Sequence, residues 1–393
     1  MQTDTVVAAP SASVLSKFQA LAAGLKAQFI ERDHIIDAMV ACLACGQHIL
    51  LLGEPGTGKS ALANAMTKSI DGATLFSWLL SKASPPEEVL GPLSLSELKN
   101  DRFIRCTAGK LPEADIAFLD EIFKCNSTLL NATLGILNER TFYNGPVPTK
   151  VPLQMCVGAS NEYPTDVELA ALWDRFLVRF WVDRISDGDK LIKMLTMKDP
   201  TGVVGCLTKT DIETARAEVA KVRLGQAGLE SIRDAKVAAE GAGFFASDRR
   251  WRQTSRYLRA VAWMNGDSEV NQDHLLVLAD ILWREHKERP KVLSAVGKVA
   301  NPSLVMAIEL SDAVKALLGD SSRKKDEPDN EFIARVGKIS VEAKKASSRL
   351  GELMAANPSS AQIGKLARES QKTVQDITRG ALRASGFDLG PSA

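Results

Sequence analysis

The chain has 393 residues, 45% of them hydrophobic and 25% charged. That is room for two or three domains of roughly 100–200 residues, and it excludes wholesale disorder. Its 49 lysines and arginines stand against 48 acidic residues, a formal charge of +1, so no global positive field marks a sequence-independent nucleic-acid binder.

The small-residue stretch over residues 1–12 reads as a flexible tail, and Met1 to Ser13 lacks the basic end and apolar core of a secretory signal. No apolar run approaches the roughly 18 residues of a membrane span, and a soluble, cytoplasmic protein is expected. Apolar residues three to four apart (Phe18, Leu21, Leu25, Phe29) predict a first helix. A second, over residues 34–45, should stop at Gly46. The run 48–52 has strand length and meets a glycine-rich turn. Further strands are predicted at 74–79, 116–119 and 153–157. The helical patterns between them imply parallel strands with crossover helices. Two β-hairpins should interrupt this core, one over 93–107 around Asn100-Asp101 and one over 140–151 around Asn144-Gly145.

After about Ser186 the strands stop, and residues 188–290 read as helices only, broken at Pro200, near Gly241 and at Gly266. A polar stretch over 320–329 reads as a linker or exposed loop. Beyond it, Phe332, Val336, Ile339, Ala343, Ala346, Leu350 and Leu353 form a heptad seam. Asn357-Pro358 breaks the pattern, and Ile363, Leu366, Val374, Ile377 and Ala381 give a weaker second stripe. A helical hairpin is predicted, either packed on its own core or offered to a partner as a coiled coil. The cysteines (Cys42, Cys45, Cys106, Cys125, Cys156, Cys206) are too sparse for a disulfide framework. Cys42 and Cys45 precede His48, but no second ligand pair follows at zinc-site spacing, so buried reduced thiols are the better reading.

The chemistry is concentrated in two places. Gly53, Glu54, Pro55, Gly56, Thr57, Gly58, Lys59 and Ser60 follow the first strand run and, with Ala61, open a helical pattern. This is G-x-x-x-x-G-K-[ST] in the strand–helix context of a P-loop. The glycines let consecutive N–H groups turn toward phosphate oxygens at a helix N-terminus. Lys59 suits the β- and γ-phosphates of ATP, and Ser60 suits Mg²⁺. Residues 116–119 then end in Asp120 and Glu121. Asp120 suits the outer shell of Mg²⁺, and Glu121 suits a general base acting on the attacking water.

Taken in order, the motifs resemble the AAA+ ATPases, within them the MoxR group, and within that group the RavA type. The resemblance rests on Glu31-Arg32-Asp33-His34, the P-loop, the run from Ser84 to Ser94, the run from Leu111 to Ile122 and Leu137-Asn138-Glu139-Arg140. Ala159-Ser160-Asn161-Glu162, Leu172-Trp173-Asp174-Arg175-Phe176 and Ser247-Asp248-Arg249-Arg250-Trp251 complete it. The resemblance implies that Asn161 is the first sensor, beside Glu121. Arg175 is implied as the arginine finger reaching a neighbouring subunit, with Arg179 as its rival. Arg249 is implied as the second sensor, contacting the γ-phosphate of its own chain, with Arg250 as its rival. The two hairpins would be the insertions of this AAA+ branch. Beyond about residue 300 the resemblance fades, and residues 291–393 are too short for the inserted β-rich domain of the RavA type.

The fold class expected is therefore α/β: an AAA+ core with a parallel sheet, flanking helices and two β-hairpin insertions, followed by an all-α lid and a C-terminal helical region. The expected division is a tail at 1–12, the core at 13–186, the lid at 187–290 and a helical bundle or hairpin at 291–393. The implied function is an Mg-dependent ATPase ring, a hexamer, that remodels or matures a protein substrate with a von Willebrand factor A (vWA) domain partner. A nucleic-acid motor, a nucleotide-gated scaffold and an activase of a metabolic enzyme are the alternatives. Near-zero charge and few aromatic residues argue against the first of these.

Overall fold

The structure, a computed structural model, describes residues 13–185, 188–197, 207–321, 327–358 and 360–384. The expected tail, the break at Pro200, Cys206 and the middle of the polar stretch at 320–329 lie outside the described residues. The chain divides into two compact units. One runs to Leu229 and resumes over Phe244–Arg289; the other takes Glu230–Gly243 and everything from Pro290 onward.

The first unit is built on a five-stranded parallel sheet. Its strands are β1 (Ile49–Leu52), β2 (Leu75–Leu79), β3 (Ile116–Asp120), β4 (Met155–Ser160) and β5 (Val178–Trp181), in the spatial order β2-β3-β4-β1-β5. β1 and β4 are buried along their whole length, as strands covered on both faces must be. Ile49 stands between Val157 and Val178 in register. From β1 the chain crosses to the far edge at β2, works back inward through β3 and β4, and then passes to the other side of β1 at β5, so the direction of the connections reverses between β1 and β4. That crevice at the carboxyl ends of the strands is where open α/β sheets bind ligands.

Helices α1 (Val14–Gln28) and α2 (Asp33–Cys45) precede β1, and α2 stops at Gly46 with φ 69°. α1 buries Phe18, Leu21 and Leu25, the face its periodicity predicts. α3 (Lys59–Lys68) follows the P-loop, and α4 (Ser127–Glu139) connects β3 to the hairpin strands Thr141–Asn144 and Val147–Lys150. α5 (Lys209–Lys221) carries a complete capping box at Thr208 and Asp211, and α6 (Asp248–Asn265) is capped by Ser247 and ended by Gly266.

Three expectations need correction. β5 is not among the strand runs read from the sequence, because Arg179 interrupts its apolar pattern. Residues 93–107 are not a β-hairpin of two strands: a single antiparallel bridge joins Leu93 to Arg105, and the tip is a short helix, Leu95–Leu98, capped by Ser94. Gly91 lets the two ends of this insertion close, since a Cβ there would stand 2.0 Å from the Cys106 carbonyl oxygen. Finally, residues 188–290 are not purely helical, for Leu207–Thr208 pairs in parallel with Ile70–Asp71. Such a two-residue ladder is too short for any periodicity to announce.

In the second unit, helices α7 (Pro302–Asp320), α8 (Asp329–Ala356) and α9 (Ala361–Ala384) pack together. The heptad seam is used inside the chain. Ile339 and Ala343 meet Val374 and Ile377 of α9, and Val314 of α7 closes the cluster. The hairpin thus gains a third helix that its own pattern did not reveal. Among the described residues no helix is long and apolar enough to cross a membrane.

Candidate functional site

The P-loop leaves the end of β1 at Gly53, whose φ of 131° only glycine adopts readily. A Cβ there would lie 2.5 Å from the Val182 carbonyl oxygen, so the loop can hug the sheet only with glycine at this point. Gly58 caps α3 in the left-handed region, with no side chain bonded to the first helical N–H groups. This leaves the helix N-terminus facing the crevice as a ready anion cradle.

Lys59 is buried, and its Nζ donates to the carbonyl oxygens of Gly53 (2.6 Å) and Glu54 (2.8 Å). It also approaches Asn161 Oδ1 at 3.4 Å. Burial holds the ammonium below its ordinary pKa, while the charges of Asp120 and Glu121 pull it back up. Asn161, the first residue beyond β4, donates through Nδ2 to Glu121 Oε1 at 2.6 Å. Lys124 stands 3.4 Å from the other carboxylate oxygen. Glu121 itself has φ 51°, rare for a side-chain-bearing residue, and its N–H donates to Asp120 Oδ1 at 2.9 Å. Backbone strain of this kind concentrates at working sites. Three strand ends thus bring Lys59, Asp120, Glu121 and Asn161 into one connected group, with Ser60 exposed at the first turn of α3.

Two features went unread in the sequence. Arg32, buried, donates to the carbonyl oxygens of Asp183 (2.7 Å) and Thr57 (3.4 Å), tying the P-loop to the chain beyond β5. Beside it lies a cavity of about 590 Å³ with Phe29, Ile30, Leu191, Met194 and Met197 among its walls and Pro55 and Thr57 at its edge. An apolar slot next to a phosphate cradle suits the flat ring of a nucleotide base. Its parts come from segments far apart in the chain, and only the Glu31–His34 motif beside them gave a signal.

The arginines form a second group. Arg179 is buried, its guanidinium 4.3 Å over the Trp173 ring and bonded to the Trp283 carbonyl oxygen. Arg250 is equally buried and donates to the carbonyl oxygens of Ile281, Phe176 and Leu177. Both are taken up by the fold. Arg175 is half-buried, with one weak bond to the Ala171 carbonyl oxygen at 3.4 Å. Burial depresses its pKa, and the like charge of Arg249 depresses it further. Arg249 is exposed. Among the described residues no hydrogen bond or ion pair joins Arg175 or Arg249 to the Lys59–Asn161–Glu121 group. The residues read as Mg²⁺ ligands, Ser60 and Asp120, fit a hard cation: a hydroxyl and a carboxylate oxygen beside the phosphate cradle.

The cysteines described (Cys42, Cys45, Cys106, Cys125, Cys156) are free, and no cluster of three or more metal-ligating side chains occurs among the described residues. His48 is engaged on both ring nitrogens, accepting from the Cys156 N–H at 2.8 Å and lying 2.8 Å from the Leu137 carbonyl oxygen.

Comparison with known proteins gives the family and the fold. The family described as the MoxR domain in the MoxR-vWA-beta-propeller ternary systems matches residues 16–217, and an AAA lid domain matches residues 229–296. The chain is 36% identical over 297 residues to the uncharacterized protein MJ0812 of Methanocaldococcus jannaschii, covering 75% of this chain and 79% of that one. It is 33% identical over 309 residues to MJ0079 of the same organism, covering 77% and 80%. A crystal structure of a candidate ATPase from Cytophaga hutchinsonii shares the fold with a TM-score of 0.60 at 18% identity, over 73% of this chain and 95% of that one.

Proposed function

This chain belongs to the MoxR family of AAA+ ATPases, and on that premise we propose that it works as a ring, a hexamer, that hydrolyses ATP to remodel or mature a protein substrate with a vWA-domain partner. The observation that carries the reading is the split of the site into two groups. Lys59, Asn161 and Glu121 are linked through Asn161 within the chain, whereas among the described residues no hydrogen bond or ion pair joins Arg175 or Arg249 to them, and Arg175 makes one weak bond of its own.

The chemistry assigned is attack of water on the γ-phosphorus of ATP. The Glu121 carboxylate takes the proton of the attacking water, and Asn161, bonded to it, holds that carboxylate in place. The bond to the bridging oxygen breaks and its electron pair leaves with ADP, while Lys59 offsets charge on the β- and γ-phosphates. Ser60 and Asp120 would hold Mg²⁺, which when bound supplies further positive charge to the phosphate oxygens. Gly53, Glu54, Pro55, Gly56, Thr57, Gly58 and Ala61 complete the cradle. Arg175 is assigned as the finger that serves a neighbour's nucleotide. Arg249 is assigned to act beside it across the same interface, rather than on its own chain's γ-phosphate.

Within the family the motifs resemble the RavA type, while the matching family description points to systems with vWA and β-propeller partners. A vWA partner is common to both and is therefore the part proposed. The test is capture: the Glu121→Gln variant, loaded with Mg-ATP in native extract, should retain its client and release it when nucleotide is removed. Recovery of a vWA-domain protein or one dominant client supports remodelling. Recovery of nucleic acid, or of nothing that depends on ATP, overturns it.

A further inference from the structure

All five sheet strands run the same way, so the nucleotide crevice has an opposite pole, where the strands begin. A second cavity, of about 570 Å³, opens there. Its walls come from the residues just before β1, β3 and β4 (Gln47 and His48, Asp115, Gln154), from the two ends of the hairpin (Arg140, Lys150), and from α5 and α6. Five cationic side chains line it, Arg140, Lys150, Lys209, Arg216 and Arg256, against two carboxylates, Asp115 and Glu213.

Some of that charge is accounted for. Lys209 pairs with Asp115 at 2.8 Å. Arg140 donates to the carbonyl oxygens of Gly46 (2.8 Å) and Leu153 (2.9 Å). The rest is not. Arg216 reaches the Gln154 carbonyl oxygen at 3.3 Å, but its Nε is buried with no acceptor. Lys150 and Arg256 are exposed at the rim and have no hydrogen bond or ion pair among the described residues. The side-chain oxygens of Gln154 and Gln253 are buried with no donor. Unsatisfied buried polar atoms in one cavity are costly unless something answers them. Burial first, and then the like charge of Arg216, hold Arg140 down to about 10.

We propose that this cavity binds a small, multiply phosphorylated anion, its phosphate oxygens taken by Arg216, Arg256 and Lys150. Guanidinium groups converging on a concave site suit phosphate. The two orphaned glutamine oxygens suit hydroxyl groups on the same ligand. No Phe, Tyr or Trp lines the cavity, so it offers no platform for stacked bases and does not read as a nucleic-acid track. An occupant would link the base of the hairpin to α5 and α6. The proposal stands independently of the ATPase reading.

The test is calorimetric titration of the Lys59→Ala protein, whose P-loop no longer competes for phosphate, with inorganic triphosphate and with fructose 1,6-bisphosphate. One site per chain is expected for each. The bisphosphate, which also brings hydroxyl donors, is expected to bind more tightly. Reversing the two rim charges (Lys150→Glu with Arg256→Glu), both exposed and safe for folding, should weaken each by about tenfold or more. Arg216→Gln should do the same, with thermal unfolding run alongside to verify its fold. Absence of binding at millimolar probe, or binding untouched by the charge reversal, overturns the site. Binding that the wild type shows and Lys59→Ala loses assigns the phosphate to the P-loop and overturns it equally. A tighter hold on triphosphate overturns the role given to the glutamines.

Discussion

The Lys59 group and the Arg175 pair are both built from charged side chains at the edge of one sheet, yet they are finished to different degrees. In the first, opposite charges and an amide are closed on one another over 2.6–3.4 Å. In the second, Arg175 makes one weak bond and feels the like charge of Arg249 against the opposite charges of Asp174 and Glu139, while Arg179 and Arg250 are buried on carbonyl oxygens. A half-buried arginine with one weak bond is open to an anion supplied from outside the chain. On the function proposed, one chain carries the apparatus that binds and activates, and Arg175 and Arg249 serve a neighbour's phosphate.

The sharpest way to break this comparison is Arg175→Ala, expected to lower turnover by about 10³–10⁵ while nucleotide binding by the same chain survives. Arg175→Lys should rescue little, since an ammonium does not reproduce the planar fork. Glu121→Gln should lower turnover by about 10²–10⁴ with ATP still bound. Mixing the two inactive proteins then sharpens the point. A ring holding both kinds of subunit contains interfaces where an intact Glu121 meets an intact Arg175, so activity should reappear in the mixture. A mixture as inactive as its parts would place both residues on one nucleotide.

Most of the self-contained group was legible in the residues themselves, Lys59 in its spacing from Gly53 and Asp120 and Glu121 at the end of an apolar run, whereas Asn161 was implied only by the family resemblance. The arginines were legible only as pairs. Arg179 lies in β5 and points into the fold, while Arg175 lies before the strand; Arg249 and Arg250 are neighbours on α6, and a helix turns successive side chains by about 100°, one outward and one inward. Sequence adjacency does not say which is which. The apolar slot beside the P-loop and the basic cavity were illegible for another reason, since each is assembled from segments far apart in the chain. The insertion at 93–107 misled because a polar turn dipeptide fits a capped helical tip as well as a hairpin.

A smaller effect is expected from the second arginine. Arg249→Ala should lower turnover by about 10²–10³, the loss seen when one preorganised donor to transition-state charge is removed. Measured in the same mixing experiment, its defect should be complemented by Glu121→Gln subunits if it serves a neighbour. A defect that no partner subunit can repair would return Arg249 to its own chain's phosphate and narrow the open group to Arg175 alone.

The smallest effect tests the frame under the closed group. His48 stands at the foot of β1 and accepts the N–H of Cys156 in β4, so it joins the two strands that deliver Lys59 and Asn161. Burial, and then the charge of Arg140, hold its pKa well below the ordinary value of 6.5. The native state therefore keeps His48 neutral at a pH where the unfolded chain already binds a proton. The sign follows: stability is undiminished above about pH 6.5 and falls as the pH drops below it, by about 1.4 kcal/mol per pH unit until the lowered native pKa is reached. His34 and His274, also lowered chiefly by burial, add to the same slope. Urea unfolding between pH 6.5 and 5 should show it, and His48→Gln should remove one histidine's share from the slope whatever it does to stability at pH 7. An unchanged slope would mean that His48 takes up its proton within the native fold and that the β1–β4 contact is looser than its hydrogen bonds imply.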